Sequence, residues 1–336
     1  MQTPPILKVR DLTTRLQIGH DIWTVVDQLG FDLYSGKTLA LVGESGCGKS
    51  LTALSLMRIL PKPPALPPKG EVIYQNRNLL EISEKEMRKI RGAKIAMVFQ
   101  DPISALNPVF TIENQMLEVA EMHLNLYGNE AFERAVKALE EVGIHSPATR
   151  LKDYPHQLSG GMKQRVMIAM ALMCEPDILI ADEPTTALDT TIQAQVLKLM
   201  RDLQEKKGMA ILLITHDMGV VAEMADEVIV MYTAQGIERG GVYDIFDHRA
   251  HPYTRALFNA RPALQTKETK LAAIPGNVPS FNHIPQGCRF HPRCPFVMEK
   301  CRKGLVPDFA INGQENHVVK CWLYDGSEES KIKILK

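Results

Sequence analysis

Eight consecutive residues, GESGCGKS at Gly43 to Ser50, restrict the fold of this chain more than any other stretch. They fit G-x-x-x-x-G-K-[ST] and lie between an apolar run, TLALVG from Thr38, and a run of helical character, SLTALSLMRIL from Ser50. A strand that passes through a glycine-rich turn into a helix aims backbone N–H groups and the positive helix end at one point, which suits a phosphate. Lys49 is then expected to reach the terminal phosphates of a bound nucleotide, and Ser50 to ligate Mg²⁺. The expected nucleotide contacts are Gly43, Glu44, Ser45, Gly46, Cys47, Gly48, Lys49, Ser50 and Leu51. Cys47 reads as a small filler among the glycines rather than a redox group. A glycine-rich turn with no ligand is the bland alternative, and the strand and helix on either side argue against it.

The alternation continues downstream. DILIAD, TIQAQVLKLMRDLQ and MAILLIT occur in order between Asp177 and Thr215, so apolar runs and amphipathic stretches alternate as in a mainly parallel sheet covered by helices. With 336 residues and 45% hydrophobic composition the chain can bury such a core. The Pro-rich PKPPALPPKG (Pro61 to Gly70) reads as a surface loop that ends a helix. From about Ile112 to Tyr154 strand signals vanish and AFERAVKALEEVG has helical spacing, so a helical insertion is expected over about residues 101–157. VIVMYTAQGIERGG (Val228 to Gly241) reads as a strand pair with a short turn, after which composition shifts towards Pro, His and Cys. The expected division is an α/β domain over 1–241 and an extension over 242–336.

Two more segments carry chemistry. ILIADEP (Ile178 to Pro184) is an apolar strand ending in adjacent carboxylates, which suits Asp182 holding Mg²⁺ through water and Glu183 orienting or deprotonating the attacking water. LSGGMKQR (Leu158 to Arg165) opens a helix with small residues, a second anion-binding end. As an ordered set over about Ile6 to Gly241, these motifs resemble the ATP-binding cassette (ABC) family of transporter ATPases. The resemblance implies a P-loop NTPase cassette with a mainly parallel core, an antiparallel β subdomain and a helical subdomain.

It also implies roles. Ser159, Gly160 and Gly161 would contact the ATP held by the opposite subunit, so that two cassettes close around two nucleotides. Gln100 in MVFQDP would sense Mg²⁺ and the attacking water and link them to the helical insertion. Asp189 in TTALD would lie at the dimer interface, and His216 in ITHD would be the switch histidine; Glu183, His216 and Gln100 are thus the implied catalytic set. Where family members place an aromatic ring for adenine this chain has Leu16, with Trp23 the nearest ring, and Met162 replaces a common glutamine.

The tail matches a narrower group. HPYTRALFNARP (His251 to Pro262), IPGNVPSF and GCRFHPRCP resemble the C-terminal extension of the oligopeptide, dipeptide and nickel import ATPases. That implies a peptide importer, with nickel as the alternative cargo. The implied partners are a second homologous ATPase in a heterodimer, two membrane permease subunits and, indirectly, an extracytoplasmic peptide-binding protein. The implied location is peripheral, on the cytoplasmic face of the membrane.

Four of six cysteines fall in this tail: Cys288, Cys294, Cys301 and Cys321, spaced C-x5-C-x6-C-x19-C. In a reducing compartment they suggest a metal more than disulfides, and a [4Fe–4S] cluster before Zn²⁺. Reduced thiols packing as small hydrophobes are the bland reading, which also fits Cys174 at the end of an apolar helix. The tail is expected to be poor in core of its own, and none of its residues is expected within reach of phosphate.

Composition excludes other classes. Lys plus Arg and Asp plus Glu both number 39, so no net field draws nucleic acid or an anionic membrane. The longest apolar run, VMIAMALMC from Val166, is too short to span a bilayer, and MQTPPILKVRDL lacks the pattern of a signal peptide, so a cytosolic chain is expected. A nucleotide kinase would have the phosphate loop without LSGGMKQR, and cassette proteins of translation or repair usually carry two cassettes or a long coiled coil.

Overall fold

The structure is a computed structural model that describes residues 4–186, 188–260, 274–311 and 313–334. Arg261 and Pro262, which end the HPYTRALFNARP block, lie outside the described residues. The chain forms two compact units, one of residues 4–8, 32–38 and 73–214, the other of residues 9–31, 39–72 and the chain from 215 onward.

In the first unit the strands Ile95–Val98, Ile178–Asp182 and Ala210–Ile214 run parallel, with Ile95 opposite Ile178 and Ile178 opposite Ala210. Every residue of all three strands is buried. Continuous apolar runs rather than alternating ones are what a parallel sheet covered on both faces requires. The expected helical insertion is present as Ile112–Leu124, Gly128–Glu141 and Pro147–Arg150. Thr111 caps the first by accepting from the Asn114 N–H at 3.2 Å, and left-handed Asn125 ends it.

In the second unit the strand Thr38–Val42 pairs in parallel with Glu227–Tyr232, Leu39 lying opposite Glu227 and Val42 opposite Val230. Glu227–Tyr232 turns back into Gln235–Gly241 through Thr233 and Ala234, both at positive φ. This is the strand pair expected from VIVMYTAQGIERGG. The strand Leu7–Ile18 lies between Asp21–Leu33 and Lys69–Tyr74 in a separate small sheet. Residues 61–68 form a loop, as the Pro-rich sequence demands.

The tail does not stand apart. Strand Gln314–Val319 pairs antiparallel with Gln235–Gly241, and Phe309–Ile311 adds beyond it, so hydrogen bonding runs across the expected boundary at 241. Buried Glu238 accepts from the N–H groups of Ala250 at 2.7 Å and His251 at 2.8 Å and pairs with the His317 ring at 2.9 Å. Tyr253, Phe258 and Phe290 pack in one core with Ala40, Val42, Val228 and Val230. The expectation of a tail poor in core of its own is thereby corrected: Met298, Ile311, Val319 and Leu323 close a buried cluster within it, and Tyr253, Phe258 and Phe290 join the residues under the phosphate-loop strand. Among the described residues no helix is long and apolar enough to cross a membrane.

Candidate nucleotide site

The predicted site residues divide between the units: the phosphate loop and His216 in the second, the remainder of the cassette motifs in the first.

The phosphate loop joins strand Thr38–Val42 to helix Lys49–Leu56. Two of its glycines are sterically obligatory. A Cβ on Gly43, at φ +152°, would lie 2.3 Å from the Met231 carbonyl oxygen, and one on Gly48, at φ +111°, would lie 2.5 Å from that of Val25. The loop is tied down from the neighbouring strand pair by the Ala234 N–H, which donates to the Cys47 carbonyl at 2.8 Å.

Buried Lys49 donates from Nζ to the carbonyls of Gly43 at 2.8 Å and Glu44 at 3.1 Å, which holds its ammonium at the loop. Ser45 and Gly46 are exposed, while Glu44, Ser50 and Leu51 are half-buried. Cys47 is fully buried, and burial pushes its thiol up despite the nearby Lys49 charge. Its side chain packs inward, as a small filler would.

In the same unit the Thr215 N–H donates to the Leu41 carbonyl at 3.3 Å, bringing the segment of exposed His216 beside the end of the phosphate-loop strand. Of the residues weighed for adenine, Leu16 bridges to Ala65 through its backbone, and half-buried Trp23 has an indole Nε1 enclosed without a partner.

In the first unit, strand Ile178–Asp182 delivers its two acids differently. Asp182 is buried, whereas Glu183 turns out at φ +46°, a left-handed conformation uncommon for such a residue. Glu183 Oε2 accepts from Gln100 Nε2 at 3.0 Å and from Thr186 Oγ1 at 2.9 Å. Glu183 and Gln100, 83 residues apart, are thus brought together. Sequence reasoning missed Thr186, although the TTALD stretch contains it, and missed Gln164, whose amide donates to the Pro184 carbonyl at 2.5 Å.

Ser159 caps helix Gly160–Leu172, its Oγ accepting from the Met162 N–H at 3.3 Å, and Gly160 has open space around it. Asp189 caps helix Thr190–Lys207 through the Ile192 N–H at 3.0 Å. Ile192 covers Gly161, where a Cβ would come within 3.0 Å of its Cγ2, so the signature and the Asp189 turn share one packed corner.

The tail gives the clearest corrections. Tyr253 and Arg293 both touch Glu44, so the tail makes direct contact with a residue of the phosphate loop. Cys174, expected as buried core, is half-buried, with its thiol pushed up by burial.

The thiols of Cys288 and Cys294 are pushed up to about 12 and about 11, and that of Cys321 upward as well, in each case by burial first and then by neighbouring thiols. Cys301 and Cys321 share one buried cluster, and Cys288 packs against it. Yet among the described residues no set of three or more His, Cys, Asp or Glu side chains is disposed to hold a metal ion, so Cys288, Cys294, Cys301 and Cys321 are not a formed site as placed.

Known proteins resemble this chain. The family profile described as ABC transporter matches residues 26–186, and that described as the C-terminal region of oligopeptide/dipeptide transporters matches residues 237–301. A probable peptide ABC transporter ATP-binding protein of Sinorhizobium fredii is 48% identical over 327 residues, covering 96% of this chain and 97% of its own length. The dipeptide transport ATP-binding protein DppD of Bacillus subtilis is 46% identical over 327 residues, covering 97% of each chain. Among solved structures, a dimeric ATP-binding cassette in a post-hydrolysis state with ADP and Pi superposes with a TM-score of 0.63 at 27% identity, over 70% of this chain and 98% of that one.

Proposed function

The chain belongs to the ABC transporter family and is an ATPase of that family, and from this premise we propose that it drives uptake of di- or oligopeptides. The observation that carries the cargo is the similarity to peptide-transport ATP-binding proteins over the whole chain, tail included.

MgATP would sit on the loop Gly43 to Ser50, with Ser50, Gln100 and Asp182 around Mg²⁺. Glu183, held by Gln100 and Thr186, would take the proton of the attacking water, and His216 would contact the terminal phosphate. Ser159, Gly160 and Gly161 would close on the nucleotide of a second, homologous ATPase, with Asp189 at that interface.

Two permease subunits would receive the motion on the cytoplasmic face of the membrane. Val109 and Phe110, 71% and 51% exposed between Gln100 and helix Ile112–Leu124, support a partner there because they leave apolar surface uncovered. The test is ATP turnover by the chain reconstituted with its partner ATPase, permeases and binding protein. Peptide-loaded binding protein should stimulate hydrolysis severalfold. Stimulation by nickel and not by peptides would reassign the cargo.

For the tail cysteines, the reading is one structural metal centre, iron–sulfur before zinc, formed once the four thiols lose their protons and turn towards a common ion. Such a centre would supply a cross-link, and its formation would be pH-dependent because each thiol must become a thiolate. Protein purified without oxygen should absorb broadly near about 400 nm and carry about four irons. Colourless protein with one zinc would exclude the cluster, and metal-free protein with four titratable thiols and an ordered tail would exclude both.

A further inference from the structure

Glu44 is an acid one residue into a loop built for phosphate, and the tail grips it twice. Its backbone N–H donates to Tyr253 Oη at 2.8 Å. Its carboxylate receives Arg293 in a fork, Nη1 to Oε2 at 3.0 Å and Nη2 to Oε1 at 3.2 Å.

The arginine is committed to this place. Its side chain is only 4% exposed, and every nitrogen has an acceptor: Nε donates to the Pro275 carbonyl at 2.8 Å, Nη1 also reaches Tyr232 Oη at 3.3 Å, and Nη2 also reaches the Ile274 carbonyl at 3.5 Å. A guanidinium has five N–H donors, and five acceptors surround this one. Tyr253 is equally fixed, fully buried with its ring 4.6 Å from that of Tyr232 and 5.4 Å from that of Phe290. A second arm comes from the same turn: Arg289 pairs with the Asp27 carboxylate and donates to the Thr233 carbonyl, next to the Ala234 whose N–H holds Cys47.

We infer that Tyr253 and Arg293 are positioning residues for the nucleotide, holding the first turn of the phosphate loop and neutralising Glu44 so that the affinity for MgATP depends on the tail. The physics has two parts. An unpaired carboxylate at Glu44 would add like charge beside the phosphates, where a partly buried site screens little. An unanchored Glu44 would also let the loop relax from the one shape in which its N–H groups converge.

The inference rests on the assignment of ATP to this loop, and the experiment separates the two. MgATP binding and steady-state hydrolysis are measured in the reconstituted complex for wild type, Arg293→Met, Glu44→Gln/Arg293→Met and Tyr253→Phe. Arg293→Met should raise the dissociation constant and KM for MgATP about tenfold with kcat at saturation within about twofold, as expected on losing a charge-assisted pair. Adding Glu44→Gln should restore most of that affinity, because it removes the stranded charge; a purely structural arginine would show no such rescue. Tyr253→Phe keeps the ring and loses the acceptor, and it should weaken MgATP about threefold.

Unchanged MgATP affinity in folded Arg293→Met, or a loss that Glu44→Gln leaves untouched, overturns the inference. If Arg293→Met does not fold, unchanged affinity in Tyr253→Phe overturns it instead. Wild-type complex that binds no MgATP would sink the nucleotide assignment itself, and the inference with it.

Discussion

Glu183→Gln is expected to bind MgATP as tightly as the wild type while hydrolysing it roughly 10²-fold or more slowly. The replacement keeps the size of the side chain and its place among neighbours, since an amide can still accept from Gln100 Nε2 and Thr186 Oγ1 through its remaining oxygen. What it loses is the capacity to take a proton from water. Because Glu183 stands at φ +46° at the end of a fully buried strand, its backbone is set by the sheet and should not move with the substitution. Single-turnover hydrolysis measured alongside equilibrium ATP binding is the appropriate check. Turnover near the wild-type rate at this half-site would remove Glu183 from the role, and weakened binding would show that it serves the ground state.

Gly43→Ala should be strongly damaging for the addition of a single methyl. The added carbon would meet the Met231 carbonyl oxygen at 2.3 Å and Cys47 Sγ at 2.9 Å, in a backbone conformation that L-residues rarely adopt. The first obstacle is backbone in a buried strand, so the loop must yield rather than its neighbour. The strain is of the order of 1–3 kcal/mol before any repacking. Since the loop's value lies in N–H groups converging on one phosphate, displacement should cost more than about tenfold in MgATP affinity, together with a lower melting temperature. Nucleotide titration and thermal denaturation of the same preparation read both effects. Unaltered affinity would mean that the loop can shift and still close on phosphate.

Most of the cassette was legible because its chemistry is local. A phosphate loop, a strand ending in two acids and a helix opening on small residues are contiguous pieces, each with its own backbone logic, and GESGCGKS, ILIADEP and LSGGMKQR carry that logic within a few residues. The helical insertion and the strand pair Val228 to Gly241 were likewise readable from apolar spacing, although the turn places Thr233 and Ala234 at positive φ, which no residue type there announces.

Three-dimensional packing decided what lies far apart in the chain. Tyr253 and Arg293 reach Glu44 across 209 and 249 residues, and no periodicity in HPYTRALF or CRFHPRC announces which carboxylate an arginine will find. The pairing exists because strand Gln314–Val319 joins Gln235–Gly241 and because Phe290 enters the core beneath the phosphate-loop strand. A buried guanidinium needs all its acceptors in place at once, and only the assembled sheet gathers Glu44, Tyr232, Ile274 and Pro275 around one point. The same holds for the tail as a whole: its Cys- and Pro-rich sequence does not show that Met298, Ile311, Val319 and Leu323 close a cluster of their own, and only the fold shows that Tyr253, Phe258 and Phe290 join the core under the phosphate-loop strand.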